Sequence, residues 1–261
     1  MEQITGVIIT LNEERHIEAC IESMKKVCSS IIVVDSCSGD KTRELAEKAG
    51  ARVVVQEYLG DGPQKNVGPD LSDTPWVLSL DADERLTPEM VAEIKALNLA
   101  ESPVPAYGFP RKNYIGSRWI RHSGWYPDVC VRLYDHRKVR WKDVRMHSFV
   151  ETRDFRVLKG NIIHYSYRGI GELFRKADSY SNAIAKNMYQ RGKRAGAWSP
   201  FLHGLSALLK HYVIKGGFLD GVDGMTVSIS SAINSYLKYA KLLEFQRDSE
   251  ILKNEDFSKV W

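Results

Sequence analysis

The sequence lacks a cysteine framework. Its 261 residues include four cysteines, Cys20, Cys28, Cys37 and Cys130, at irregular spacings, and no two of them form a C-x-x-C pair. Disulfide scaffolds and structural zinc sites need several cysteines at regular or paired spacings. We therefore exclude both classes and expect reduced thiols, as in a cytoplasmic protein.

The sequence also lacks a long hydrophobic run. It has no stretch of about 18 uninterrupted apolar residues, which is the length that a membrane-spanning helix needs. The apolar run that begins at Ile4 has no basic segment before it and soon meets Glu13 and Glu14, which is not the pattern of a signal peptide. The expected location is the cytoplasm, with peripheral attachment to the inner face of the cytoplasmic membrane as the alternative.

Two common phosphate-binding motifs are absent. Neither G-x-G-x-x-G nor G-x-x-x-x-G-K-[ST] occurs in the chain, so the glycine-rich dinucleotide site and the P-loop are not supported. Arginines and aromatic residues are interleaved after residue 100, but no nucleic-acid recognition motif accompanies them. A nucleic-acid partner is therefore not predicted.

Charge is present but unevenly distributed. The net charge of +4 hides an acidic front, because residues 1–100 carry 10 Lys and Arg against 18 Asp and Glu. Residues 101–170 carry 14 basic and 6 acidic side chains, and residues 171–261 carry 13 and 9. This asymmetry indicates an acidic, cation-requiring site in the first part and a basic remainder suited to an acidic acceptor or membrane surface.

Short apolar strands alternate with helical segments in the first hundred residues. Four runs rich in β-branched and other apolar residues predict strands: 6–10, 31–34, 52–55 and 76–80. Helical patterns lie between them, and the chain from residue 171 onward has three helical patterns: 173–190, 199–215 and 225–245. The predicted fold is α/β, with a mostly parallel sheet of Rossmann-like type and a C-terminal helical region.

Polar side chains follow the predicted strands where a parallel sheet binds its ligands. Asp81 and Asp83 come directly after the fourth strand, and Asp35 follows the second. Two carboxylates at one strand end can hold Mg²⁺ or Mn²⁺ and share it with phosphate oxygens. The alternative is that these acids cap the next helix or are simply solvated.

Asp35 and His164 have two possible roles each. Asp35 is placed to accept a hydrogen bond from a base or a ribose hydroxyl, although it also fits a turn. His164 ends a strand-like run and is the best candidate to complete the metal site, although a structural or acceptor-contacting role is the alternative. Arg132 suits phosphate or carboxylate recognition because its guanidinium is a bidentate donor.

Four motifs in the first hundred residues resemble those of glycosyltransferase family 2, which has the GT-A fold. In order, the motifs are Thr10-Leu-Asn-Glu-Glu14, Val33-Val-Asp-Ser-x-Ser-x-Asp-x-Thr42, Gln64-Lys-Asn66 and Leu80-Asp-Ala-Asp-Glu84. Later motifs are similar to the bacterial lipopolysaccharide-core β-1,4-glucosyltransferase group, which transfers glucose from UDP-glucose to an inner-core heptose. These are Trp125-Tyr-Pro-Asp128, Leu158-Lys-Gly160, His164-Tyr-Ser-Tyr167 and Gly217-Phe-Leu-Asp-Gly221.

The resemblance implies a role for each matched donor-side residue. Thr10, Asn12 and Glu13 would line the nucleotide pocket, and Asp35 would contact the uracil. Lys65 would lie near the nucleotide or diphosphate. Asp81 would face the ribose or the sugar, and Asp83 would bind the metal ion.

The resemblance also implies a catalytic base beyond the D-x-D motif, and two departures bear on it. Asp128 of Trp-Tyr-Pro-Asp is the first choice. The group usually has Gly-Gly before Trp-Tyr-Pro-Asp, where this chain has Ser123 and Gly124, and Val-His-Glu where this chain has Met146-His147-Ser148. If the glutamate of that motif is the base in the group, Ser148 cannot replace it, and Glu151 is the nearest acid.

The predicted protein is therefore a metal-dependent, inverting hexosyltransferase. Its donor is a UDP-sugar, and its acceptor is an inner-core saccharide of lipopolysaccharide. Residues 1–168 would form the GT-A catalytic domain, with 1–100 binding the nucleotide sugar and 101–168 supplying the acceptor side and the base. Residues 169–261 would form a helical region near the acceptor or an anionic membrane.

Two alternatives stay open. The same fold could act on a capsular or polyprenyl-linked glycan. A non-catalytic nucleotide-sugar-binding protein is the other reading, which the presence of both Asp81 and Asp83 disfavours.

Overall fold

The computed structural model describes residues 3–144 and 148–248. Within these ranges the strands are β1 (Ile4–Thr10), β2 (Ser30–Asp35), β3 (Arg52–Val55), β4 (Trp76–Asp81), β5 (Glu84–Leu86), β6 (Ala106–Ile115), β7 (Arg118–Trp119), β8 (Asp128–Asp135), β9 (Arg156–Val157) and β10 (Ile162–Tyr167). The α-helices are α1 (Ile17–Met24), α2 (Thr42–Lys48), α3 (Asp61–Asp70), α4 (Pro88–Lys95), α5 (Ile170–Gln190), α6 (Ser199–Leu209) and α7 (Gly221–Arg247). A π-helical turn, Lys210–Ile214, continues α6, and a 3-10 turn, Gly217–Asp220, precedes α7.

The described strands form one sheet with a parallel half and an antiparallel half. Its order is β3-β2-β1-β4-β8-β6-β10-β5, with β7 and β9 also paired to β6. The four strands predicted from the sequence, β1 to β4, are parallel neighbours. β8 is antiparallel to β4 and β6, and β10 is antiparallel to β5. The predicted α/β fold with its C-terminal helices is confirmed, and the antiparallel half is an addition to it.

The core explains why the first strands are almost purely apolar. β2 buries Ile31 to Val34 without interruption, as expected for a strand covered on both faces. Helix α1 buries Ile17, Cys20, Ile21 and Met24 at the spacing of one helical face. These residues belong to one large cluster that reaches from α1 through the sheet to α4.

Helix α3 is held against β1 by a glycine. A Cβ atom on Gly68 would lie 2.3 Å from the Val7 side chain, which is fully buried. No larger residue fits there without moving one of the two elements. Lys65 lies on the same helix, one turn before Gly68.

The Gly68→Ala variant is therefore expected to be less stable than the parent protein. Overpacking a buried site costs about 1–3 kcal/mol, which corresponds to a fall of a few degrees in Tm for a domain of this size. Gly171→Ala is the matched control, because a Cβ at Gly171 would have no neighbour within 4 Å. Thermal unfolding followed by circular dichroism tests the difference, and equal Tm values for the two variants would contradict the packing argument.

The chain divides into two compact units. The first comprises residues up to 112 and residues 127–165, and the second comprises residues 113–126 and those from 166 onward. The predicted functional division at residue 168 stays a prediction. The division into compact units does not coincide with a single boundary at residue 168, because the segment 113–126 belongs to the same unit as the C-terminal helices.

The second unit has its own small hydrophobic clusters. One contains Ile115, Ile120, Leu173 and Val227, and another contains Ala185, Leu242 and Phe245. Helix α7 packs against both α5 and α6. No helix in the described parts of the chain combines the length and apolar character needed to cross a membrane.

Candidate active site

The carboxyl ends of the parallel strands bring the donor-side candidates to one edge of the sheet. Thr10 pairs in register with Asp35, and Ile9, the residue before Thr10, pairs with Asp81. The Thr10 hydroxyl is buried and has no hydrogen-bond partner among the described residues. The edge of the sheet that was predicted to bind the ligand therefore carries the carboxylates of Asp35 and Asp81 and the buried, unsatisfied hydroxyl of Thr10.

Asp35 organises the loop after β2. Its carboxylate is fully buried and accepts hydrogen bonds from the backbone N–H (2.8 Å) and the hydroxyl (2.5 Å) of Ser38. The Ser38 hydroxyl oxygen in turn accepts a hydrogen bond from the Asn12 N–H at 2.9 Å. Asp35 thus fixes the loop after β2, and its predicted contact with uracil stays a prediction.

Asn12 and Glu13 link the loop after β1 to the loop before α2. Asn12 has a positive φ of 56°, a conformation that asparagine tolerates better than most residues. Its side-chain oxygen accepts a hydrogen bond from the Gly39 N–H at 2.9 Å, and the Glu13 N–H donates to the Thr42 hydroxyl at 2.8 Å. The Thr-Leu-Asn-Glu and Asp-Ser-x-Ser motifs are therefore two sides of one hydrogen-bonded structure.

Lys65 is buried between two carboxylates. Its Nζ lies 2.9 Å from Asp61 Oδ1 and 3.4 Å from Asp81 Oδ1, and it sits 4.6 Å from the centre of the Trp141 ring. The side chain is only 8% exposed. The structure thus places Lys65 beside Asp81, and Asp61 is a partner that the sequence prediction missed, although its position four residues before Lys65 on a helix was a usable signal.

Asp81 is held ionised by two basic residues. Arg132 Nη2 donates to Asp81 Oδ2 at 2.6 Å, on the opposite oxygen from Lys65. Burial alone would raise the pKa of Asp81, but the charges of Arg132 and Lys65 outweigh it and keep that pKa well below its ordinary range. Asp81 is therefore an anion throughout the physiological pH range.

Glu84, the last residue of the D-A-D-E motif, is the centre of an ion-pair network. It is fully buried and accepts hydrogen bonds from the Asp81 N–H at 3.0 Å, from Arg132 Nη2 at 2.6 Å and from Arg111 Nη1 at 3.2 Å. Arg132 was expected to recognise a ligand, but it is only 2% exposed and binds Asp81 and Glu84. Its role is to fix the charged core of the site.

Asp128 lies at the far end of the same network. Arg111 donates to Asp128 Oδ2 from Nη2 at 2.6 Å and from Nε at 3.1 Å. The Asp128 side chain is 37% exposed, whereas that of Glu84 is fully buried. Asp81, Arg132, Glu84, Arg111 and Asp128 thus form one continuous chain of ion pairs, which we call the carboxylate–arginine network.

Asp83 faces His164. Their closest side-chain atoms, Oδ2 and Nε2, are 3.5 Å apart, and both side chains are partly exposed. The pairing of β5 with β10, in which His164 lies opposite Glu84, brings the two together. Burial alone would lower the pKa of His164, but the hydrogen bond and charge of Asp83 raise it above its ordinary value.

The donor set of this pair fits a divalent cation that shares its coordination with a ligand. The described residues contain no cluster of three or more His, Cys, Asp or Glu side chains arranged for a metal ion. A carboxylate and an imidazole supply two ligands, and Mg²⁺ or Mn²⁺ commonly takes the others from water and substrate phosphates. The pair therefore fits a site that fills when a diphosphate binds, rather than a closed protein cage.

Glu151 lies outside the network. Among the described residues its carboxylate contacts Lys142, at 3.5 Å, and its side chain is 55% exposed. Ser148 instead donates to Asp61 Oδ2 from its N–H at 2.7 Å and from its hydroxyl at 2.8 Å. Met146 and His147 of the same motif lie outside the described residues.

The chain matches a family model. Residues 5–169 match the model described as Glycosyl transferase family 2. An uncharacterized glycosyltransferase of Rickettsia typhi is 31% identical over 261 residues, which cover 95% of this chain and 89% of the relative. The chain therefore belongs to glycosyltransferase family 2, and its fold is GT-A, as the resemblance predicted.

A more distant relative carries a more specific description. The lipopolysaccharide core biosynthesis glycosyltransferase LpsC of Rhizobium meliloti is 25% identical over 249 residues, which cover 92% of each chain. Glucosyl-3-phosphoglycerate synthase from Mycobacterium tuberculosis, solved with Mn²⁺, uridine diphosphate and phosphoglyceric acid, aligns at 26% identity with a TM-score of 0.36. That alignment covers 44% of this chain and 43% of the synthase, which is too little to bear on substrate or mechanism.

Proposed function

We propose that this family 2 glycosyltransferase transfers a hexose, glucose in the first instance, from a UDP-sugar to an inner-core saccharide of lipopolysaccharide, with inversion at the anomeric carbon. One observation carries the proposal. The carboxylate–arginine network joins Asp81, at the donor edge of the sheet, to Asp128, a partly exposed carboxylate. Donor binding and proton removal would thus depend on one rigid, charged scaffold.

The donor would bind along the carboxyl edge of β1, β2 and β4. The loops held together by Asn12, Ser38 and Asp35 would receive the nucleoside. Thr10, whose buried hydroxyl has no hydrogen-bond partner among the described residues, lies at the same edge of the sheet. Lys65, held beside Asp81, would lie near the diphosphate. A buried lysine between two carboxylates is already desolvated and fixed, so little reorganisation would be needed when a phosphate approaches.

Asp83 and His164 would hold the metal ion. A divalent cation at this position would neutralise the negative charge that develops on the leaving diphosphate. Asp83 and His164 would thus serve as the protein ligands of that ion, while Asp81 keeps its own charge compensated by Arg132 and Lys65.

Asp128 would act as the general base. As the acceptor oxygen bonds to the anomeric carbon, the bond from that carbon to the UDP oxygen breaks and its electron pair leaves with UDP. The acceptor hydroxyl proton passes to Asp128. Arg111 would position the carboxylate through its two hydrogen bonds to one oxygen, and Glu151 is the second candidate for the base.

The acceptor is proposed from the similarity to LpsC and from the motifs in residues 121–221. The basic excess after residue 100 suits an acceptor that carries phosphate or carboxylate groups. A capsular or polyprenyl-linked glycan is the same-class alternative.

A donor panel tests the proposal. UDP release is measured with Mn²⁺ and a truncated core oligosaccharide, using UDP-glucose, UDP-galactose, UDP-N-acetylglucosamine and GDP-mannose. We expect kcat/KM for UDP-glucose to exceed the others by about 10-fold or more, because a site that hydrogen-bonds a hydroxyl rejects analogues that misplace it.

The acceptor arm separates the alternatives. Transfer to a polyprenyl-linked or capsular saccharide but not to the core oligosaccharide would replace the acceptor assignment and leave the donor assignment intact. Tight binding of a UDP-sugar without turnover on any acceptor would favour the non-catalytic alternative.

A further inference from the structure

Exposed apolar side chains are concentrated in one segment of the second unit. Ten large apolar residues between positions 198 and 222 are each at least half exposed. They are Trp198, Phe201, Leu202, Leu205, Leu209, Val213, Ile214, Phe218, Leu219 and Val222. We call them the apolar strip. Soluble monomers seldom leave a large apolar patch in water unless it binds something.

Helix α6 shows that the exposure is organised. Trp198, Phe201, Leu202, Leu205 and Leu209 follow the spacing of a single helical face. The other side of the helix packs on α7 through Gly204, where a Cβ would lie 3.3 Å from Tyr236 Cβ. The helix therefore satisfies its packing with small residues and presents its large apolar residues to solvent.

The charged side chains of residues 191–219, a segment that carries nine of the ten residues of the apolar strip, have one sign. The segment from residue 191 to residue 219 contains five Lys and Arg and no Asp or Glu. The five basic residues are Arg191, Lys193, Arg194, Lys210 and Lys215, and all are exposed. None forms an ion pair with a carboxylate of residues 3–144 or 148–248.

The two acidic residues that follow this segment in the sequence, Asp220 and Asp223, contact basic residues of the second unit. Asp220 accepts hydrogen bonds from the N–H groups of Arg121 and His122 at 3.0 and 2.7 Å, and it also contacts His122 Nδ1 at 2.8 Å. Asp223 pairs with Arg118 at 2.9 Å. These carboxylates do not offset the positive charge of the 191–219 segment at its surface.

We propose that the apolar strip and its five basic residues bind the surface of an anionic lipid bilayer. In such an arrangement the apolar face of α6 lies within the boundary between headgroups and acyl chains, and the lysines and arginines contact lipid phosphates. The proposal goes beyond the transferase activity and does not depend on it, because none of these residues is assigned to the donor site, the metal site or the base.

Charge favours a bilayer over a second copy of the chain. A symmetric dimer through the apolar strip would bring two sets of five uncompensated cations together, with no acid in either segment to pair with them. Like charges juxtaposed at an interface are costly. An anionic membrane supplies the opposite charge and an apolar phase at once.

Vesicle flotation with the full-length protein tests the proposal. The vesicles are pure phosphatidylcholine or phosphatidylcholine with about one third phosphatidylglycerol. We expect binding to the anionic vesicles at least tenfold stronger than to neutral vesicles, weakening as salt is raised. Equal binding to both compositions, or none to either, would overturn the proposal.

Two sets of variants separate the apolar and the charged contributions. Leu205→Ser with Ile214→Ser is expected to weaken binding at least tenfold. The control pair, Val157→Ser with Ile170→Ser, removes two half-exposed apolar side chains outside the apolar strip and is expected to leave binding unchanged. Arg191→Gln, Lys193→Gln and Arg194→Gln together are expected to lower binding to anionic vesicles by about fivefold for each charge. Lys26→Gln, Lys48→Gln and Arg52→Gln, also exposed in the structure, form the matched charge control.

Circular dichroism and donor hydrolysis in detergent-free solution check that each variant is folded. Sedimentation velocity of the parent protein tests the alternative, which is self-association through the apolar strip. A dimer that the Leu205→Ser and Ile214→Ser substitutions dissociate, together with absent vesicle binding, would assign the apolar strip to self-association and reject the membrane proposal.

Discussion

Replacement of Asp128 by Asn is expected to lower kcat for transfer by about 10²- to 10⁴-fold, the usual contribution of a general base. The donor Kd is expected to stay unchanged. An amide cannot accept the hydroxyl proton, but it has the size of the carboxylate and its oxygen can still accept the two hydrogen bonds from Arg111. Transfer kinetics and calorimetric binding of UDP-sugar to the same preparation measure the two quantities.

Glu151→Gln is the matched control for this prediction. Its carboxylate is exposed and pairs with Lys142 outside the carboxylate–arginine network, so its loss is expected to change kcat less than twofold. An active Asp128→Asn variant together with an inactive Glu151→Gln variant would move the base to Glu151. The pH profile gives a second readout, because loss of the base removes the acidic limb of kcat/KM while a purely structural defect only lowers the profile.

The parallel half of the fold could be predicted because its signals are local. Each of the strands β1 to β4 is a short, mostly apolar run. β1, β2 and β4 end at a polar residue on the ligand edge, whereas β3 ends at Val55 and Gln56 follows it. Parallel strands place their carboxyl ends together, so the proximity of Thr10, Asp35 and Asp81 followed from the order of the elements alone. The spacing of apolar residues in α1 likewise predicted its buried face.

The antiparallel half and the charged network had no comparable local signal. Arg111 and Arg132 lie 27 and 48 residues from Glu84, on strands whose order in the sheet, β8 between β4 and β6, is not the order of the chain. An isolated arginine in a strand gives no indication of its partner. Arg132 was therefore expected to bind a ligand, whereas the structure uses it to neutralise Asp81 and Glu84.

The two aspartates of the D-x-D motif show how far a motif can be interpreted. The sequence placed both at one strand end, where they could share a metal ion. In the structure Asp81 contacts Lys65 and Arg132, while Asp83 faces His164. A single residue between them is enough to direct the two side chains to different partners, so their proposed roles differ.

Asp83→Ala is expected to abolish the effect of Mn²⁺ on donor binding and to lower transfer by about 10²-fold or more, since several kcal/mol of charge stabilisation are lost. Asp83 lies within ion-pair distance of His164, with Oδ2 3.5 Å from Nε2. Calorimetric titration of UDP with and without Mn²⁺ measures the metal effect directly, and it does not require turnover.

Asp73→Ala serves as the control, because Asp73 is exposed and lies in the loop before β4. It is expected to retain both transfer and the Mn²⁺ effect.

His164→Ala is expected to weaken the Mn²⁺ effect on donor binding, as Asp83→Ala does. An unchanged response would leave Asp83 as the metal ligand and return His164 to a structural role. Transfer that survives Asp83→Ala at the parent rate would reject the metal site altogether. The charge on the leaving diphosphate would then have to be met by basic side chains of the protein, and Lys65, 3.4 Å from Asp81, is the first to test.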